Sequence, residues 1–384
     1  MISVSGGFAQ QKEWKYHRTA DGLHPSPIEQ KMMWLMNRAR ANPAREGVWL
    51  SSTGDPSIGA AVSYLGVDMA RMRSEFAAIP AAPPAAFDRR LHRGAELHSV
   101  YMISTDSQTH DGQGDLLNDS GFVWDTALLS VFAYCENAVH AHAALNIDYG
   151  DGAGSDGGMQ QGRGHRVALM SDMPGQPVLS NVGLAMVEDH QTATEVGPYI
   201  FSASYASAWE EAPDSYNRFV VGTVWNDLNG NRMYDEGEGL GGVRVELDHG
   251  KYFAVTAAAG GFSIPVLEPG DYVATYSGGA FPGSFSARLE IGEVSVQADA
   301  EISSLPQTYI PPVVEAPAPL TAFLNVDSGS TLILSWTGGR PPYQVQRSRR
   351  LTDGWEDVGT PTEATSMTLP MDESAGFFRI RDSQ

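Results

Sequence analysis

Cys135 is the only thiol in this 384-residue chain. No intrachain disulfide can form, and a four-thiolate zinc site is excluded. Positive charge is scarce too: 25 Lys and Arg stand against 46 Asp and Glu, a formal charge of −21. A field of that sign repels phosphate backbones, so nucleic acid is a poor partner, and the Lys/Arg clusters needed to dock on anionic lipid are missing. No run approaches ~18 uninterrupted apolar residues, so no membrane span is predicted. The opening MISVSGGFAQQKEWKYHRTADG lacks the apolar core of a signal peptide. No repeat of fixed period is visible. Apolar residues still make up 42% of the chain, enough for real cores. At ~150 residues per domain the length predicts two or three domains.

Composition changes along the chain. Residues 1–25 read as an N-terminal extension. From Ser26 to Ala212 helical periodicity mixes with short strands; from Phe219 to Leu305 the text is strand and turn. Pro306 to Pro319, PQTYIPPVVEAPAP, reads as an extended proline-rich linker, and Leu320 to Gln384 again reads as short strands. Ser26, Pro27 and Glu29 fit a capping box with proline at the first helical position. Ile28, Met32, Leu35 and Met36 continue at helical spacing until Asn42-Pro43 stops the run. A second helix is expected over roughly Asp88 to Ile103, with Leu91, Ala95, His98 and Met102 on one face; His98 reads as a hydrogen-bonded core residue. Strands are expected around Val182 to Val187 and Tyr199 to Tyr205. The expected fold is multidomain: an α+β layered sandwich followed by two all-β sandwiches.

Three positions in the first region sit near breaks rather than in apolar stripes: His110 in SQTHDG, Glu136 in YCENAV and His165 in GRGHRVALM. Spacing alone does not show that they converge, and solvated polar residues would look the same. His140 and His142 lie ~200° apart on a helix and cannot chelate together, whereas Glu136 and His140 could share a face. The string Gly152 to Gly157 satisfies G-x-G-x-x-G without the helix and acid a dinucleotide site needs, and reads as a flexible loop. Cys135 has no basic activator and reads as a buried, inert thiol.

The segments EQKMMWLMNRARANPAREG, LHRGAELHSVYM, the His110 turn, CENA, GHRVALM and VGLAMV follow in an order that resembles the CAP superfamily, also called SCP-like, in a disulfide-free bacterial form. The resemblance covers about Ser26 to Ala206. It implies an α-β-α sandwich whose cleft joins His110, Glu136 and His165, with Asp148 of NIDYG as the fourth cleft position. Zinc or another divalent cation on His110 and His165, with the carboxylates completing the shell or orienting the rings, is the implied chemistry.

In the second region, DLNGNRMYDEGE sets Asp227, Asn229, Asn231, Met233 (by its carbonyl), Asp235 and Glu238 at positions 1, 3, 5, 7, 9 and 12 of an EF-hand-type calcium loop. Arg232 stands where such a loop normally has glycine. With GGFSIPVLEPGDYVATY this region resembles the calcium-stabilised B-type repeats of Gram-positive adhesins, which implies a structural stalk. The strands STLILSW, PYQVQRS, SMTLP and GFFRIRD of the last region resemble small fibronectin-type or immunoglobulin-like modules, with Trp336, Trp355, Phe377 and Phe378 as core.

The expected protein is therefore exported or at the cell surface, and displays a His/acid cleft to a small hydrophobic ligand, an extracellular protein or a cell-surface component. A metal-dependent hydrolase and a structural or adhesive protein are the alternatives.

Overall fold

The computed structural model describes residues 11–191, 193–304, 320–326, 331–338, 342–350, 354–370 and 376–382. The chain divides into two compact units, 1–310 and 311–384. The expected linker, 306–319, lies outside the described residues.

The first unit opens with a two-residue strand, β1 (Lys12–Glu13), followed by α1 (Pro27–Ala41), α2 (Pro43–Ser52), α3 (Pro56–Leu65) and α4 (Met69–Ala78). Proline begins the first three helices, where its missing N–H costs nothing. Asn42, Asp55 and Asp68 cap α2, α3 and α4 through their side chains. In the capping box of α1, Ser26 N–H donates to Glu29 Oε2 at 2.7 Å. Strand β2 (Ala86–Phe87) leads into the second expected helix, α5 (Arg89–Thr105). Then come α6 (Gln113–Asn118), β3 (Trp124–Cys135), α7 (Ala138–Ile147), α8 (Gly164–Met170), β4 (Asn181–Glu188) and β5 (Tyr199–Ala208).

Four of these strands form a sheet in the order β2-β4-β5-β3, with β2 parallel to β4 and the others antiparallel. Strand alternation loads both faces. Phe201, Ala203 and Tyr205 of β5 join Met32 and Met36 of α1, Leu145 of α7 and Leu169 of α8 in one core. On the other face Ile200 packs with Met102 of α5, and Ala206 and Ala208 with Leu91. Helices therefore cover both sides, giving three layers. Helix α5 comes so close to β4 that a Cβ on Gly183 would lie 2.0 Å from the His92 backbone nitrogen.

The remainder of the unit is strand: β6 (Phe219–Trp225), β7 (Arg244–Leu247), β8 (Tyr252–Val255), β9 (Gly261–Pro265), β10 (Gly270–Ser277), β11 (Ser284–Ile291), β12 (Val296–Gln297) and β13 (Ala300–Glu301). Sheet β1-β8-β7-β10-β11 faces a second sheet in which β12, β13 and β9 all pair with β6. Val220, Val224, Val245, Ile264 and Tyr276 fill the space between. This is the sandwich expected over 219–305, but it does not stand apart. Residues read as an N-terminal extension enter it: β1 runs parallel to β8, and Trp14 belongs to its core. Helix α1 closes its other side, where Trp34 and Leu35 cluster with Trp225 and Tyr234, and Gln30 donates to Thr223 Oγ1 at 2.8 Å. Covered on both faces, β6 is buried at every residue, which explains its unbroken apolar run.

The second unit holds β14 (Thr321–Val326), β15 (Thr331–Thr337), β16 (Tyr343–Ser348), β17 (Glu356–Thr362), β18 (Ser366–Pro370) and β19 (Phe377–Asp382). Two antiparallel sheets, β14-β15-β18 and β17-β16-β19, enclose Leu334, Trp336, Tyr343, Val345 and Leu369. Trp336 is core as expected; Trp355 is half-buried under the Arg379 guanidinium, 4.3 Å from its ring centre. Phe378 packs on the core while Phe377 is exposed.

Candidate functional site

The fold brings His110 and His165 together. Their ring centres lie 6.2 Å apart with planes 18° from parallel. His110 sits in the turn between α5 and α6, and its Nδ1 lies 2.7 Å from Gln113 Oε1. Gln113 is buried, and its Nε2 is committed to Ser202 Oγ at 2.9 Å and to the Ser130 and Ala203 carbonyls. Its oxygen must therefore face the ring, so His110 Nδ1 donates to it. His165, in the first turn of α8, is fixed the same way. Its backbone N–H donates to Asp148 Oδ2 at 3.0 Å and its Nδ1 to Asp148 Oδ1 at 2.9 Å. Asp148 is fully buried at the left-handed C-cap of α7, with φ 63°.

Glu136 takes no part in this. It is exposed, and among the described residues its carboxylate bonds neither ring; its backbone N–H donates to His140 Nδ1 at 3.2 Å. The ring-orienting role belongs instead to Asp148, the expected fourth cleft position, and to Gln113, which has no place in the sequence reading. His140 packs edge-on against Phe132, and His142 is paired with Glu46 at 2.9 Å. His98 is buried with Nδ1 3.2 Å from Ser202 Oγ, and burial lowers its pKa. Burial likewise pushes the Cys135 thiol well up, away from nucleophilic use. The stretch expected as a flexible loop is tied down. Gly150 N–H bonds Gly158 O at 3.1 Å, Asp68 N–H bonds Gly157 O at 2.9 Å, and Arg71 pairs with Asp156.

The loop 227–238 curls around its own acids. Asp227 accepts backbone N–H bonds from Gly230, Asn231 and Arg232 at 2.8, 3.2 and 2.9 Å. Asn231 Oδ1 accepts from Met233 N–H at 2.6 Å, and Glu238 from Leu228 and Asp235 N–H at 2.9 and 2.8 Å. Arg232 adopts the left-handed turn, φ 61°, that glycine would make without strain. Asn229 and Asn231 both donate to Asp235 Oδ2, while Lys31 of α1 pairs with its Oδ1.

A third cluster was not singled out in the sequence. His24, Glu29 and His92 form, among the described residues, the only set of three or more His, Cys, Asp or Glu whose ligand atoms all lie within 4.8 Å of one another. Glu29 attracted notice as a capping residue; nothing in the spacing signals its second use. A cavity of about 230 Å³ lies in the sandwich beside Leu247, Tyr252, Leu267 and Tyr272, not between the helices. Among the described residues no helix is long and apolar enough to cross a membrane.

No family model matches the chain, and no curated protein matches it. Solved structures similar to it include a DUF3823 family protein of Parabacteroides merdae, at 15% identity over 44% of this chain and 82% of that one, TM-score 0.17. A proposed carbohydrate-binding protein of Bacteroides uniformis is similar at 9% identity over 44% and 80%, TM-score 0.18. The FN1-FN3 domains of chicken CNTN1 are similar at 13% identity over 51% and 83%, TM-score 0.13. Likeness this slight assigns neither fold nor activity. These findings correct the family resemblance: no family model or curated protein of the CAP superfamily matches, the solved structures named are of other kinds, and strands outnumber helices 19 to 8 among the described residues. The adhesin-repeat name for the second region falls with the same absence of a match. What holds is coarser: a mixed α/β part followed by β-sandwiches.

Proposed function

We propose that the chain is an exported or cell-surface binding protein whose recognition point is the His110–His165 pair. One observation carries this reading. Each ring has its Nδ1 held on a buried acceptor, which leaves both Nε2 atoms for a ligand, with the ring centres 6.2 Å apart. Neutral imidazoles oriented in this way suit a zinc-class cation, or an acidic ligand held through one. Bonds of ~2.0–2.1 Å to one ion place two imidazole ring centres roughly 5–6 Å apart, so the 6.2 Å separation needs a small approach of the rings to share it. Binding is favoured over hydrolysis because catalytic zinc takes three protein ligands. Among the described residues this pair forms no group with a third His, Cys, Asp or Glu whose ligand atoms lie within 4.8 Å. The loop 227–238 is a calcium support in this reading, favoured by an Asp227 cradle that closes despite Arg232.

The test is zinc stoichiometry by elemental mass spectrometry on the chelator-stripped full chain. The His110→Ala/His165→Ala variant is expected to take up one equivalent less than the unaltered chain. Equal uptake by the two would remove the site.

A further inference from the structure

We infer that His24, Glu29 and His92 form a separate buried site for a zinc-class divalent cation, one that clamps the segment before α1 to helices α1 and α5. The three ligands come from three places in the fold: the turn ahead of α1, its first turn, and α5. His24 Nδ1 lies 2.8 Å from Glu29 Oε2, and His92 Nε2 lies 3.1 Å from Glu29 Oε1. Bonds of ~2.0–2.1 Å in a tetrahedral shell put ligand atoms ~3.3 Å apart, so small shifts convert these contacts into coordination. A nitrogen, nitrogen, oxygen donor set favours zinc-class ions over calcium or magnesium, which take oxygens.

Charge points the same way. Glu29 is buried, and among the described residues its only ion-pair partners are His24 and His92; no Lys or Arg joins them. A buried carboxylate without a permanent positive partner is costly, so an imidazole proton or a cation must compensate it. The carboxylate does not depend on the rings for its aim, because Ser26 and Met186 N–H also hold it, at 2.7 and 3.3 Å. Those backbone donors would stay in place as outer support when the ring nitrogens turn to a metal. Access comes from His24, whose side chain is 33% exposed against 2% for the other two.

The test uses the full chain carrying His110→Ala/His165→Ala, so that the surface pair cannot contribute. After chelator stripping, zinc titration followed by calorimetry should give one equivalent and a raised melting temperature. Glu29→Gln in that background should weaken binding at least tenfold. His24→Gln should do the same with an unchanged far-ultraviolet circular dichroism spectrum, and it decides the matter if Glu29→Gln fails to fold. Cobalt(II) added in place of zinc should give a tetrahedral visible absorption band that His24→Gln removes. A stripped chain that takes up no zinc, or a His24→Gln chain that binds it as before, overturns the site.

Discussion

His17 shows how one side chain can set a pH limit. It is almost fully buried, its Nε2 donates to the Val255 carbonyl at 2.8 Å, and among the described residues its Nδ1 has no hydrogen-bond partner. Burial pulls its pKa down to about 4 from an ordinary 6.5. Between those values the unfolded chain holds a proton that the native chain refuses, so stability falls as pH drops from 6.5 towards 4 and is flat above. Each unit of separation is worth 1.36 kcal/mol, so the loss approaches ~3 kcal/mol. Thermal melts at pH 7 and pH 4.5 should therefore show a smaller drop for His17→Gln than for the unaltered chain. Equal drops would show that other groups govern the acid limb. Much at this scale was legible in advance: the capping box, the buried His98 and the inert Cys135 follow from their neighbours in sequence. Gln113, His24 and His92 were not, because their partners are chosen by packing. His142 and Glu46 meet across 96 positions, and no local pattern announces such a pair.

Among the elements, the loop 227–238 and helix α1 are linked by Lys31, whose ammonium sits on the Asp235 carboxylate. A calcium ion in the loop would compete with that ammonium for the same oxygen. Lys31→Met is therefore expected to tighten calcium binding several-fold, and Asp227→Ala to abolish it, both read from the calcium-dependent rise in melting temperature of the full chain. Extracellular loops of this type bind at ~10⁻⁴–10⁻³ M, so 10 mM calcium would add about 1.4–3 kcal/mol. Melting that ignores calcium would remove the site. The loop's ligand spacing is plain in the sequence because all six positions are local. Its docking on α1 is not, since Lys31 and Asp235 are 204 residues apart. The bounds of α1, α5 and β4 were also legible, whereas β3, the longest strand, went unread, and strand β1, two residues pairing in parallel with a distant edge, leaves no periodic trace.

On the scale of the whole molecule, the sandwich read as a detached stalk shares its core and its cover with the rest of the first unit. Trp14 reaches it from the start of the chain, Ala86 belongs to its core, and Trp34 seals β6. A fragment limited to 219–305 loses all three. It is expected to show no cooperative melt, whereas 11–304 melts in one transition by differential scanning calorimetry. A fragment 219–305 that melts as sharply as the longer piece would establish an independent sandwich. Composition marked the change from helix to strand correctly, but a change of secondary structure need not be a break in packing. The family resemblance misled for a related reason: a handful of short motifs in order describe local chemistry and do not by themselves define a superfamily.

Strand β1 has one more consequence. Its two residues lie along the outer side of β8, where Lys12 N–H reaches the Lys251 carbonyl and Trp14 N–H the Phe253 carbonyl, at 3.0 and 2.8 Å. Without them a row of backbone donors and acceptors would stand open beside Tyr252, a ready template for a second chain. Lys12 and Glu13 thus cover an edge otherwise open to strand addition, and proteolytic trimming ahead of Trp14 would expose it to pairing with another chain.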